Sequence, residues 1–571
     1  MNMNQIRKVA GAFSFYALLC ALPLYTNAQG FLKADGKKII NEKGKEILLR
    51  GVGLGGWMVQ EGYMLGLQQE GQQYKIRERI QSLIGETETA KFYEGWLSNH
   101  TTRQDIKAMK EWGFNSVRLP MHYDLYTLPT EKEPLTGKDT WLEKGFALTD
   151  SLLNWCRENQ MYLILDLHAA PGGQGNDLNI ADRNPEHPSL WDSRENQRKT
   201  VALWKKLAER YVSEPWIGGY DILNEPNWGF EDQKNDAHGT KEQKNTLLKE
   251  VLTDITKGIR EVDQKHLIII EGNGWGNNYN GMLPPWDNNM VLSFHRYWNY
   301  NNAESIKGIL EKREQYKVPV WVGETGENSN VWFTESISLL EKNDIGWCWW
   351  PLKKLGFNNP LEVPSNPDYQ QVLAYWNKKG PKPSKETALK GLMQLKDDLK
   401  FDHNIQHPDV IDAMFRQVNT TSAKPFKNWV LKERGNLEIP AVDYDFGRNG
   451  HAYFDKDTAD YHSSTGITTT GNRGRVYRND GVDIKKESGH QFYVSDTEEG
   501  EWLQYTFTVQ KTGLYTIALE TSSKGKAVLT VDGRKQTGIP AKVKLTKGIH
   551  QLRILIEQGG IDLKKITLSV L

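Results

Sequence analysis

Short apolar runs recur through the first two thirds of the chain. They fall at Ile47–Val52, Phe114–Leu119, Met161–Leu167, Ile217–Leu223, His266–Ile270, Met290–Phe294, Pro319–Val322 and Ile345–Trp350. Continuous apolar runs of this length read as strands buried on both faces. Most are separated by amphipathic stretches with helical spacing, at Leu142–Asn159, Glu195–Tyr211, Lys241–Val262, Ala303–Tyr316 and Thr334–Lys342. Eight strands alternating with helices predict an α/β fold, a (β/α)8 TIM barrel over residues 29–380. A doubly wound open sheet is the alternative.

A hairpin precedes the barrel between Phe31 and Arg50, with turns at Asp35-Gly36 and Glu42-Lys43-Gly44. Behind it, 381–436 reads as a helical appendage and linker, with a helix over Ser384–Leu399 capped by Ser384 and a second over Pro408–Val418. From 437 to 571 the pattern changes to short strands with turn signals, at Trp502–Val509, Gly513–Glu520, Ala527–Val531, Ala541–Leu545, His550–Ile556 and Lys565–Val570. This predicts a β-sandwich of jelly-roll type.

The barrel reading makes the strand ends the places to look for chemistry. The fourth run stops at Asn224-Glu225-Pro226, because proline has no N–H with which to extend a central strand. Others end at Arg118-Leu119-Pro120, Asp166-Leu167-His168, His295-Arg296-Tyr297-Trp298, Gly323-Glu324-Thr325-Gly326 and Trp349-Trp350. A barrel turns these groups towards one mouth. Two carboxylates there, Glu225 and Glu324, suit glycoside hydrolysis. One protonates the leaving oxygen while the other attacks the anomeric carbon or activates water. Arg118 would keep one carboxylate charged, and His295 and Tyr297 would tune the other. Metal-assisted hydrolysis competes, since His168 and His295 also end strands. No closely spaced ligand set accompanies them, so no metal is expected.

Composition narrows the partners. With 72 basic and 72 acidic residues the formal charge is zero, which favours neither nucleic acid nor an anionic membrane. The 20 Trp and 23 Tyr suit flat apolar platforms, and Trp228, Trp275, Trp286 and Trp298 lie in loops after strands. Residues 1–28 read as a signal peptide. Arg7 and Lys8 precede the apolar Val9–Leu22, and Thr26-Asn27-Ala28 forms a cleavage site before Gln29. The expected location is therefore secreted, periplasmic or at the cell surface, with no transmembrane segment once the leader is removed. A lipid anchor at Cys20 is disfavoured by the bulky Leu19. The remaining Cys156 and Cys348 lack metal-ligand spacing.

Taken in order, Arg118-Leu119-Pro120, Leu165-Asp166-Leu167-His168, Leu223-Asn224-Glu225-Pro226, His295-Arg296-Tyr297, Gly323-Glu324 and Trp347-Cys348-Trp349-Trp350 resemble glycoside hydrolase family 5. The resemblance implies a retaining double displacement without a cofactor. Glu225 takes the acid/base role and Glu324 the nucleophile role, with their carboxyl groups about 5 Å apart. It places Asn224 on the sugar 2-hydroxyl and Arg118, His168, His295, Tyr297 and Trp350 on the remaining substrate-site positions. The stretch Gly53 to Glu61, including Trp57, is similar to the opening of the family's exo-acting β-1,3-glucanases. There a glutamate at the place of Glu61 closes the cleft; the plainer reading is that Glu61 caps a turn. The implied partner is a polysaccharide or oligosaccharide, β-glucan with exo-action favoured, and the chain is expected to be a monomer. An endo-acting β-1,4-glucanase, a mannanase, a xyloglucanase or a non-catalytic carbohydrate binder are the alternatives.

The C-terminal region resembles carbohydrate-binding module family 6 at Tyr477–Ile484, Gly500–Tyr505 and Gly560–Leu563. Tyr477 and Asp562 are its candidate binding residues. The family's calcium-binding Glu-x-Glu is replaced by Pro440-Ala441-Val442, and Lys564 stands at the late acidic position. Calcium needs several oxygen ligands, so that site is not expected here.

Overall fold

The computed structural model describes residues 30–571 except 460, 463–466, 469–470, 488, 490 and 523–524. The leader over 1–28 and Cys20 lie outside the described residues. Eight parallel strands close into a barrel. They are β1 (Arg50–Gly53), β2 (Ser116–His122), β3 (Tyr162–Ala169), β4 (Ile217–Asp221), β5 (Ile268–Glu271), β6 (Met290–Arg296), β7 (Val320–Gly326) and β8 (Gly346–Trp350). Strand β8 pairs back on β1, with Trp347 opposite Arg50, so no edge is left open. Every apolar run expected to be a strand is one. The boundaries move at the mouth: β2 continues through Pro120 to His122, and β4 loses its ladder at Asp221. The next five residues stay buried as they carry the chain to Glu225 and Pro226.

The five expected barrel helices are present, the fourth opening with a 3-10 turn. Three further helices fill the stretch between β1 and β2: Gln73–Ile84, Glu86–Asn99 and Arg103–Trp112. The first two meet at Gly85, whose φ of 87° reverses the chain in a way a side chain resists. A capping box of Thr102 and Asp105 starts the third. The appendage helix Lys385–Asp398 packs on Glu86–Asn99, and Pro408–Phe415 packs on the barrel helix Asn330–Glu341.

The C-terminal region folds as two facing sheets around one apolar core. Alternate residues His550, Leu552, Ile554 and Ile556 of Gly548–Gln558 point inward, the two-residue period of a half-buried strand. Trp429–Leu431 pairs with Trp502–Val509, so the sandwich begins inside the stretch read as appendage and linker. Among the described residues no helix is long and apolar enough to cross a membrane.

Helix Arg194–Tyr211 fixes the end of β4. Its buried Trp204 donates from Nε1 to Ile222 O at 2.9 Å. Trp204→Ala is expected to lower unfolding free energy by about 3–5 kcal/mol, through a cavity and an orphaned carbonyl. Leu135→Ala, at a position 62% exposed, should change it by less than about 0.5 kcal/mol. Urea unfolding followed by intrinsic fluorescence tests both; equal losses would show that Trp204 carries no special load.

Candidate active site

Arg118 leaves β2 pointing into the barrel and is completely buried. Its guanidinium reaches carboxylates from four other strands: Asp166 at 3.2 Å, Asp221 at 2.9 Å, Glu271 at 3.0 Å and Glu324 at 2.5 Å. It also donates to Asn224 Oδ1 at 2.8 Å. The planar fork of arginine allows several such contacts at fixed angles, which a lysine ammonium would not reproduce. Two histidines complete the positive side. His168 bonds Asp166 at 2.8 Å through Nδ1. His295 bonds Glu225 at 2.6 Å through Nδ1, with Nε2 3.2 Å from Glu271. Asp166 and its neighbours hold His168 up at about 10, although burial opposes the charge.

The two terminal glutamates sit in different fields. Burial pushes the Glu225 carboxyl up to about 7, against the pull of His295 and helped by the negative Glu324 and Glu271. Burial would also raise Glu324, but His295, Arg118 and His168 outweigh it and hold its carboxyl below the ordinary 4.5. Tyr297 donates its hydroxyl to Glu324 Oε2 at 2.7 Å. Tyr297 thus serves the same carboxylate as Arg118, and not the other one as expected from sequence; β6 ends opposite β7, which sets its ring over Glu324. Oxygens of Glu225 and Glu324 and a nitrogen of His295 lie within 4.8 Å of one another. At neutral pH Glu225 can give a proton while Glu324 remains an anion.

The backbone is shaped around these groups. Glu225 adopts a left-handed φ of 39°, costly for a side-chain-bearing residue, and its N–H is anchored on Glu271 Oε2 at 2.7 Å. Gly323 has to be glycine. A Cβ there would come within 2.8 Å of His295 Nε2 and collide with Ser293 Oγ. Gln174 ties the loop after β3 to the one after β4 by donating to His168 O and Asn224 O.

Eight of the expected residues therefore meet in one place: Glu225, Glu324, Arg118, His168, Asn224, His295, Tyr297 and Trp350. The Trp350 indole stacks on His168 at 5.2 Å and donates to Tyr63 Oη at 2.9 Å. Glu61 lies behind His168 at 3.7 Å, and burial lifts its carboxyl to about 7. Its side chain makes no capping bond to the turn that follows. Trp57 is a correction. It is 1% exposed in the barrel core, and its Nε1 donates to Leu97 O at 2.8 Å, so it presents no face to a ligand. Tyr477 and Asp562 lie in the sandwich. The Tyr477 hydroxyl donates to Asp443 and its ring packs against Phe426 and Phe492. Asp562 accepts from Ser522 N through its backbone oxygen. Of the loop tryptophans, Trp298 flanks Tyr297 at 5.9 Å, and Trp275 stacks on His238 and donates its backbone N–H to Pro226 O. Trp228 lies under Arg183, and Trp286 is bonded to Thr256 on a barrel helix.

Asp166 stood at a strand end without an assigned role, and Asp221 and Glu271 were not expected to take part. The signal was present, since each is a carboxylate embedded in or ending a run of apolar strand residues. Glu225, His295 and Glu324 are also the one trio, among the described residues, close enough to hold a metal ion. His295 is raised well above its usual range; burial opposes this, and Glu271 and Glu324 drive it. A protonated imidazole between carboxylates is a donor to them and has no lone pair for a cation.

With this geometry in place, residues 76–356 match the family model for cellulase (glycosyl hydrolase family 5). The barrel is a glycoside hydrolase family 5 domain. A β-xylosidase of Phanerodontia chrysosporium is 26% identical over 60% of this chain and 75% of its own length. Endoglucanase C of Acetivibrio thermocellus is 24% identical over 49% of this chain and 96% of its own. A probable glucan 1,3-β-glucosidase A of Aspergillus clavatus is 25% identical over 48% of this chain and 64% of its own.

Arg118 and His295 have a consequence for pH. They hold Glu271 at about 2, against burial and below its ordinary 4.5. A depressed carboxyl contributes stability that is present above the unfolded value and lost as pH falls through the folded one. The domain is expected to lose stability between pH 4.5 and 2, and Glu271→Gln should show a shallower slope in that window. Denaturant titrations at stepped pH would decide it; an unchanged slope would mean that Glu271 is not held ionised.

Proposed function

We propose that the chain is a retaining β-glycosidase acting on β-glucan or β-gluco-oligosaccharides. The observation that carries this is the Glu225–Glu324 pair. An oxygen of one lies within 4.8 Å of an oxygen of the other, which supports the short carboxyl spacing of roughly 5–5.5 Å that suits direct attack. Glu324, held anionic by Arg118 and Tyr297, attacks the anomeric carbon. Glu225 protonates the departing oxygen, and a covalent glycosyl-enzyme forms. Esterification removes the Glu324 charge that helps keep Glu225 protonated, so the Glu225 pKa drops. It can then take the proton of the incoming water, the exchange of roles that double displacement requires. Asn224 and His168 stand beside the nucleophile, where they can meet the sugar 2-hydroxyl.

The relatives' names, a β-xylosidase, an endoglucanase and a glucan 1,3-β-glucosidase, support β-glycan chemistry. Glu61, buried behind His168, supports an end closed on a terminal sugar and hence exo-action. The endo alternative has its own support. A hollow of about 640 Å³, lined by His122, Asp124, Asp182 and the loop at Gly172-Gly173, offers room for a longer chain.

Glu324→Ala should abolish turnover of an aryl β-glucoside, and Glu225→Gln should cut it by roughly 10²–10⁴-fold. For the wild type, kcat/KM should fall as pH rises past about 7, where Glu225 loses its proton. Proton NMR should show the β-anomer first. Wild-type turnover by Glu324→Ala, or α-product first, would overturn the mechanism. On laminarin, glucose released from chain ends supports exo-action, and a ladder of oligomers the endo reading.

A further inference from the structure

The sandwich meets the barrel through a buried knot of amides around one carboxylate. Asn479, from the sandwich, donates from Nδ2 to Asn328 O at 2.8 Å, and its backbone oxygen accepts from Asn330 N at 2.8 Å. Its N–H goes to Asp409 Oδ2 at 2.9 Å, which also accepts from Asn330 Nδ2 at 2.8 Å. All four side chains are buried. Asn328 belongs to the loop that follows Glu324, and Asn330 opens the helix after it. Asn328 Nδ2 in turn donates to Tyr297 O at 3.1 Å, and the Tyr297 hydroxyl holds Glu324 Oε2.

We infer that Asn479 of the sandwich is a positioning residue for Glu324, acting through Asn328 and Tyr297. The inference rests on the reading of Glu324 as the nucleophile. The loop between Glu324 and helix Asn330–Glu341 needs outside support, because Glu327 is held at a left-handed φ of 50°. Lys354 of the barrel lies 3.5 Å from the Glu327 carboxylate, the appendage helix supplies Asp409 to Asn330, and the sandwich supplies Asn479 to Asn328 O. The surrounding Tyr477-Arg478-Asn479-Asp480 stretch, which resembles part of a carbohydrate-binding module, is turned inward. Arg478 lies 3.6 Å from the centre of the Tyr444 ring and donates to Tyr444 O. Removing the Asn479 amide leaves the buried Asn328 carbonyl without this donor. The loop shifts, the Tyr297 hydroxyl drifts, and the Glu324 anion loses an oriented hydrogen bond.

A misplaced catalytic group costs turnover more than binding. Asn479→Ala should lower kcat by roughly ten-fold while KM changes less than about two-fold. The acid limb of the kcat profile should move to higher pH, because a carboxylate with fewer donors is easier to protonate. Asn479→Asp is nearly isosteric and keeps the backbone contacts, but sets an oxygen against Asn328 O; the same changes are expected. The control is His550→Gln, whose imidazole bonds Asp532 and Thr546 O within the sandwich. It should lower Tm and leave kcat and the acid limb alone. Wild-type kcat and acid limb in both Asn479 variants, or an equal fall in His550→Gln, would overturn the inference. If Glu324→Ala is inactive in the same assays, only the bracing has failed; if Glu324→Ala is active, the nucleophile assignment has failed first.

Discussion

A single buried guanidinium holds this site together. Arg118 draws Asp166, Asp221, Glu271 and Glu324 around one cation, each from a different strand. Removing such charges from water is costly, and their mutual attraction offsets this only where geometry is close and lone pairs are filled. The network supplies the close geometry, with Asn224, His168 and His295 adding contacts, while Asp166 Oδ1 and Asp221 Oδ1 stay buried without a hydrogen-bond partner. Burial and the adjacent Glu271 push Asp221 well above the usual carboxylate range, against the pull of Arg118.

The asymmetry of the two mouth glutamates follows from their distance to that cation. Glu324 touches Arg118 directly and is kept charged. Glu225 meets only His295, shares its surroundings with two anions, and sits on a strained backbone pinned by Glu271. The same burial that would raise both pKa values is overcome at one and left standing at the other. Placing two like groups in unlike fields is how one pocket holds an acid and a base at a single pH.

Much of this was legible in the sequence. Eight apolar runs bounded by charged or aromatic residues specify the barrel, because a parallel strand buried on both faces has no polar alternation to confuse it. Glu225, Glu324 and six companions stood at the strand ends. The three helices between β1 and β2 went unread, because no strand separates them. Asp166 stood in the third strand's end motif without a role, and Asp221 and Glu271 were overlooked because a carboxylate within an apolar run looks like an interruption. Only the folded barrel shows that they share one partner. Trp57 misled for the opposite reason: a residue inside a recognisable motif was packing.

Charge also dictates how the barrel can be built. The counter-ion for four carboxylates comes from β2, while Asp221, Glu225, Glu271 and Glu324 arrive on or just after β4, β5 and β7. A fragment starting at β4 would gather those acids with His295 as their remaining basic partner in the network. Excess negative charge would force it open or protonate it. The two halves of the barrel are therefore electrostatically incomplete apart, and the strands should assemble as one cooperative unit rather than by adding stable sub-barrels in turn.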